Sequence, residues 1–336
     1  MSAQGVPETA TTSADIVNVN ILQLRLLHHY TTVTGPSLGA NADAAAVWAL
    51  TAVQTAFDFP YLLHVVLALA SLHLSRLENP SGPQALEYLL LGRRHYDAAL
   101  SQFQATVCDI NNTNCQAVLM FTALMFPYLC VATVDAAHDV EYTLENLLSN
   151  LALTRKMRPM VSSFYNVMQA SEISKLIPED VRCMDWTAAS PPATTELVEL
   201  RSFSEAMRHF YPSDIVDAYS HAILILELTF VASARSDKSP SDALLRIWLH
   251  FVTDRYIELL SERQPGALIV YAHYAVLVKR SSHCRWYLEG VAEQILRVAD
   301  ALVPAEWSGW LKWPRSRILG ASNCLAPDRL LHDIKD

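Results

Sequence analysis

One stretch limits the fold more than any other: PGALIVYAHYAVLVKR, residues 265–280. Pro265-Gly266 is a turn signal of the kind that precedes or opens a helix. From Ala267 to Val278 only His273 is strongly polar, and Lys279-Arg280 follow. A helix that is apolar on nearly every face has to be covered on nearly every face. Two cations suit the negative end of its dipole. The stretch therefore predicts a central helix with a cationic tip, and the rest of the chain must supply its shell.

The composition allows such a shell. Of 336 residues 51% are hydrophobic and 18% charged, material for a large core. With 9 glycines and 16 prolines the chain is poor in the turn residues that an all-β protein of this size needs. The net charge of -9 disfavours direct nucleic-acid binding, because attraction to phosphate needs clustered Lys and Arg. The six cysteines, Cys108, Cys115, Cys130, Cys183, Cys284 and Cys324, show no C-x-x-C spacing. They read as reduced thiols of an intracellular protein rather than zinc ligands. The N-terminus has neither the basic region nor the apolar segment of a signal peptide. The uncharged run Ala117–Val134 approaches membrane-spanning length, but it contains Pro127 and lacks basic flanks. It is assigned to the core, so no membrane span is expected.

Periodicity places helices near 17–34, 43–57, 60–77, 84–107, 115–134, 135–157, 196–210, 213–234, 241–262, 267–280 and 285–302, with a weaker one near 162–176. Gly35-Pro36 should end the first, and Asp43 is a plausible N-cap for the second. No period-2 strand and no internal repeat is evident. The expected fold is all-α: a disordered leader at 1–15, then a single large helical domain at 16–336 of about a dozen helices. The Pro-rich loop at 178–195 could divide it into halves, 16–177 and 195–336.

The order of segments is familiar. LLHHYTTVTG, AFDFPYLLHVVLALASLHLSRL and a helix with RRHYDAALSQF fill the first half. RQPGALIVYAHYAVLVKR, CRWYLEGVAEQIL and WSGWLKWPRSRI fill the second. Together, over roughly Leu22–Ile318, they resemble the C-terminal domain of fungal Zn2Cys6 transcription factors of the sterol-uptake-regulator type. The resemblance implies helices around an apolar cavity able to hold a sterol-like lipid. The family's zinc cluster and basic linker have no counterpart in this sequence. A body of this kind without that head is most similar to the unconventional humulene synthases of fungal tropolone-sesquiterpenoid pathways. That resemblance implies a magnesium-dependent cyclase acting on farnesyl diphosphate, with Lys279 as the essential cation and Ala275 beside the prenyl chain.

Ionising an allylic diphosphate requires carboxylate-held metal and a cation on the leaving group, next to a dry apolar cavity. D-D-x-x-D is absent, and Asp139 and Thr143 begin an N/D-x-x-x-S/T-x-x-x-E pattern that ends on Leu147. HDVEYTLE, 138–145, holds the densest acids: Asp135 with Asp139 and Glu141 with Glu145, each pair one turn apart. Glu141, Glu145 and Asp139 are the candidate Mg2+ ligands; the alternative is a solvated helix start, where acids suit the dipole. Arg155, Arg280 and Tyr274 are further substrate-side candidates, the two arginines also readable as surface charges. Glu227 lies in a very apolar run and needs a partner.

The leading expectation is thus a cytoplasmic sesquiterpene cyclase that takes a small prenyl diphosphate, as a monomer or a homodimer. The second is a lipid- or sterol-binding regulator body, which would be nuclear. The third is an unrelated all-α binding protein.

Overall fold

Helices account for the regular structure, and no strand occurs among the described residues. The computed structural model describes residues 20–80, 82–134, 139–156, 164, 170–182, 184–186, 190–235 and 239–320. The expected leader, Asp135 and residues 162–163 and 165–169 of the weak helix expected at 162–176 lie outside them.

The first described helix is α1 (Ile21–His29), capped by the Asn20 side chain, which accepts from the Gln23 N–H. Gly35-Pro36 does not end it. The chain passes through a π-helical turn at Tyr30–Thr34 into α2 (Gly35–Leu38). Proline is tolerated there because it sits in a first turn, where its missing N–H costs nothing. α3 (Ala42–Ala46) is capped by Asn41 rather than Asp43, and runs through a second π-turn, Val47–Thr51, into α4 (Ala52–Asp58). α5 (Pro60–Leu77) and α6 (Pro83–Thr106) form a hairpin, and α7 (Cys115–Ala132) packs on α5. α8 (Val140–Lys156) leads to a 3-10 turn, Glu172–Leu176, and the short α9 (Glu179–Arg182).

The second half opens with α10 (Val198–Met207) and α11 (Ser213–Ala234). The single helix expected over 241–262 is two, α12 (Asp242–Phe251) and α13 (Asp254–Ser261). Val252 is extended and the Thr253 hydroxyl caps the second helix through the Tyr256 N–H at 3.1 Å, which restarts the chain in a new direction. α14 (Pro265–Ser282) is the central helix, and every residue from Gly266 to Val278 is buried. It is surrounded by α11, α12, α13, α15 (Val291–Leu302) and α16 (Lys312–Leu319). A Cβ on Gly266 would lie 2.6 Å from the Tyr219 ring, so the entry of α14 passes α11 too closely for a side chain. Gly290, at φ +82, turns the chain between the 3-10 turn Trp286–Leu288 and α15, where a continuous helix was expected.

One core joins the two halves. His273 is part of it: Nδ1 lies 2.8 Å from the Ile269 carbonyl oxygen and the ring stacks on Trp313. Burial pushes its pKa down to about 4, so the imidazole in the middle of α14 is neutral. By length and composition α5, α7 and α11 could each cross a membrane. In this fold they are 67%, 72% and 67% buried, covered by other helices rather than facing outward.

Candidate ligand cavity

Three polar residues recur every fourth position along α12: Asp242, Arg246 and His250. That spacing puts them in one stripe on one helix face. The opposite face, Leu244, Leu245, Trp248 and Leu249, is buried. Trp248 donates through Nε1 to the Ala222 carbonyl at 2.9 Å and stacks on Tyr274 of the central helix. With its apolar face locked inward, α12 has to present the polar stripe elsewhere.

Both ends of α12 are tied. At the start, the Ser241 hydroxyl accepts from the Leu244 N–H at 3.0 Å and donates to Asp180 of α9 at 2.8 Å. The Ser241 N–H donates to the other Asp180 oxygen at 2.9 Å. At the end, Arg155 of α8 donates to the Leu249 and Val252 carbonyls and pairs with Asp254. These contacts answer the unpaired groups that every helix end leaves, and fix the stripe in place.

The stripe faces a cavity of about 290 Å³. Asp242, Arg246 and His250 belong to its wall, with Ala243 and Ile247 between them. The facing wall is Leu119, Met120, Ala123 and Phe126 of α7. Leu38 and Trp48 close one side, and Ile173, Leu176 and Pro178 another. Thr122 and Thr154 also line it, but each hydroxyl donates to a carbonyl of its own helix. The volume is at the lower edge of the roughly 300–1,000 Å³ common for small-molecule sites, and the pattern of apolar walls with a few grouped polar atoms is theirs as well.

Within the wall, Arg246 pairs with Asp242 at 3.1 Å and its guanidinium carbon lies 5.7 Å from the Phe126 ring centroid. Its Nε is buried and has no hydrogen-bond partner among the described residues. Behind the wall, Arg285 is 6% exposed and donates to the Leu38 carbonyl at 3.3 Å; its Nε is also unpartnered. Burial works against the charge of Arg285, but Tyr287 and Asp242 outweigh it and raise its pKa, so the guanidinium stays cationic.

The residues singled out from the sequence lie elsewhere, and none of them belongs to this wall. Lys279 pairs with Glu293 of α15 at 2.5 Å. Arg280 pairs with both oxygens of Glu196, at 2.8 and 2.7 Å, and covers the Phe230 ring; it holds the Glu196 carboxyl below its usual pKa. Arg155 ties α8 to α12 and α13, as described above. Tyr274 is buried against Trp248, and Ala275 is fully buried. Glu141 is exposed and bound to Arg263, whose hydrogen bonds lower its pKa. Asp139 accepts from the Tyr142 N–H at 2.8 Å and thereby caps α8. Glu145 is exposed. Among the described residues no group of three or more His, Cys, Asp or Glu side chains is arranged to hold a metal. The buried Glu227 does have its partner, Arg201, at 2.5 Å.

Sequence reasoning missed the stripe on α12. The signal was present: D-x-x-x-R-x-x-x-H inside an otherwise apolar segment.

Residues 25–136 match the profile of the fungal specific transcription factor domain. The chain is 26% identical over 302 residues to sterol uptake control protein 2 of Saccharomyces cerevisiae, covering 87% of this chain and 31% of that protein. It is 25% identical over 323 residues to a Zn(2)-C6 fungal-type transcription factor of Gibberella zeae, covering 90% of this chain and 63% of that protein. It is 27% identical over 263 residues to another of Aspergillus fumigatus, covering 76% and 67%. The chain thus spans from 31% to 67% of the length of these relatives. These likenesses overturn the expectation of a sesquiterpene cyclase, because they are to transcription factors. The expected enzyme class and prenyl diphosphate partner go with it.

Proposed function

We propose that this chain is the ligand-responsive body of a fungal transcriptional regulator, with the cavity between α7 and α12 as its lipid site. The observation that carries the reading is the cavity itself, an apolar chamber whose charged side chains, Asp242 and Arg246, and whose one imidazole, His250, are gathered on one helix. Such a chamber suits a largely apolar molecule with one polar end, which a sterol or another lipid has. The likeness to a protein named for the control of sterol uptake supports the same class of ligand. A regulator of this kind acts in the nucleus, in place of the cytoplasmic location expected of a cyclase.

The helices that form the cavity also suit a response. α12 touches the ligand space on one face and the central helix, through Trp248 and Tyr274, on the other. A ligand that binds differently to two arrangements of α12 shifts their balance by that difference in affinity. The test is a fusion of this chain to an unrelated DNA-binding domain, read by a reporter gene as cellular lipid is depleted and restored. The reading expects expression to follow lipid supply and to lose that dependence when the cavity is filled by Ala123→Trp. A reporter indifferent to lipid, with the fusion intact and nuclear, would contradict it.

A further inference from the structure

Resting on the reading of the cavity as a lipid site, we infer that its ligand carries an acidic head group, a carboxylate, held by Arg246. The wall presents one acid, Asp242, and the cation Arg246, with His250 on the same stripe. Asp242 occupies one edge of the Arg246 guanidinium at 3.1 Å and leaves the buried Nε without an acceptor. A second guanidinium, Arg285, stands behind Leu38 within the field of the same Asp242, and it too keeps a buried Nε unpartnered. Asp180 of α9 is taken up by the Ser241 N–H and hydroxyl. Asp242 thus pairs with Arg246 and reaches Arg285 only through its field, and each guanidinium keeps an Nε without an acceptor.

The Arg246 side chain is 20% exposed and lines the cavity, so a ligand acceptor meets the part of the guanidinium that Asp242 leaves open, not the enclosed Nε. Arginine presents its donors as a planar fork that a carboxylate meets with both oxygens. A neutral hydroxyl offers a single, weaker acceptor. The facing side chains Leu119, Met120, Ala123 and Phe126 leave the remainder of the space to hydrocarbon. The ligand class is then an aliphatic or polycyclic acid, with its carboxylate on the α12 stripe and its body against α7.

The test compares cis-parinaric acid, its methyl ester and the neutral sterol dehydroergosterol, by fluorescence titration of the purified chain at neutral pH. The acid is expected to bind about tenfold or more tightly than the ester, the difference a charge-assisted hydrogen bond makes. Arg246→Met is expected to bring the two ligands level, and Arg246→Lys to keep part of the preference. The comparison of acid with ester in the unaltered chain stands even if a variant fails to fold. Equal binding of acid and ester, or binding of dehydroergosterol with no binding of the acid, overturns the acidic head group and leaves the lipid site standing. Failure of a folded chain to bind any of the three overturns the lipid site, and the inference with it.

Discussion

Arg201 of α10 reaches Glu227 of α11 at 2.5 Å, and Glu227 is only 1% exposed. A second Arg201 nitrogen donates to the Pro192 carbonyl at 2.6 Å. The pair pins α10 and the segment before it to a helix that touches α14. Arg201 is 33% exposed, so the pair is buried on the Glu227 side only, and removing the arginine leaves that carboxylate uncompensated at a cost of about 2–3 kcal/mol, below the figure for a fully buried pair. Arg201→Met is expected to lower stability by that order in urea unfolding. The double change Arg201→Met with Glu227→Leu is expected to recover most of the loss, since apolar replacements of similar volume are often neutral.

Lys279 and Glu293 form the contrasting case. The side chains are 32% and 35% exposed, and such pairs are worth under about 1 kcal/mol. Lys279→Ala is expected to shift stability by less than that and to leave lipid binding unchanged. Both are read by unfolding and by the titration described above.

Gly266→Ala places a methyl group 2.6 Å from the buried ring of Tyr219. Overpacking of this kind costs about 1–3 kcal/mol. The expected outcome is a lower Tm with the helical circular dichroism retained, and Tyr219→Leu in the same chain should return part of the loss.

The fold also predicts how stability depends on pH. His64 and His95 meet at 2.9 Å between their Nδ1 atoms, across the α5–α6 hairpin. Burial, then the neighbouring His64, pushes His95 down to about 4; burial, then His29, does the same to His73, and burial alone to His273. In the unfolded chain these groups titrate near 6.5, so between about 6.5 and 4 the unfolded state binds more protons. Stability is therefore expected to be fully present above pH 6.5 and to fall as the pH drops toward 4. Urea midpoints across that range check the direction, and His95→Asn is expected to flatten the slope.

Much of the architecture was legible in the sequence. α5 and α11 fall where Pro60, Leu77, Ser213 and Ala234 suggested, because the apolar runs are long and begin and end on clear signals. The burial of α14 followed from its composition alone. The break at Val252-Thr253 was not evident, because the apolar period continues across it and only Thr253, a cap followed by Asp254, marks the restart. The cavity was less legible still. Its wall collects Leu38, Phe126, Pro178 and Arg246, which no local pattern relates, and a tertiary fold is needed to bring them together. The acids at 139–145 stood out instead, yet Asp139 caps a helix and Glu141 holds Arg263, ordinary uses of exposed charge.

The most direct measurement is the affinity of the purified chain for cis-parinaric acid and dehydroergosterol with and without Ala123→Trp, which fills the cavity from α7. The account predicts that the variant keeps its fold, shown by circular dichroism and an unchanged or raised Tm, and loses binding of whichever lipid the unaltered chain takes up. Undiminished binding in the folded variant would contradict it, because the lipid would then have to sit elsewhere.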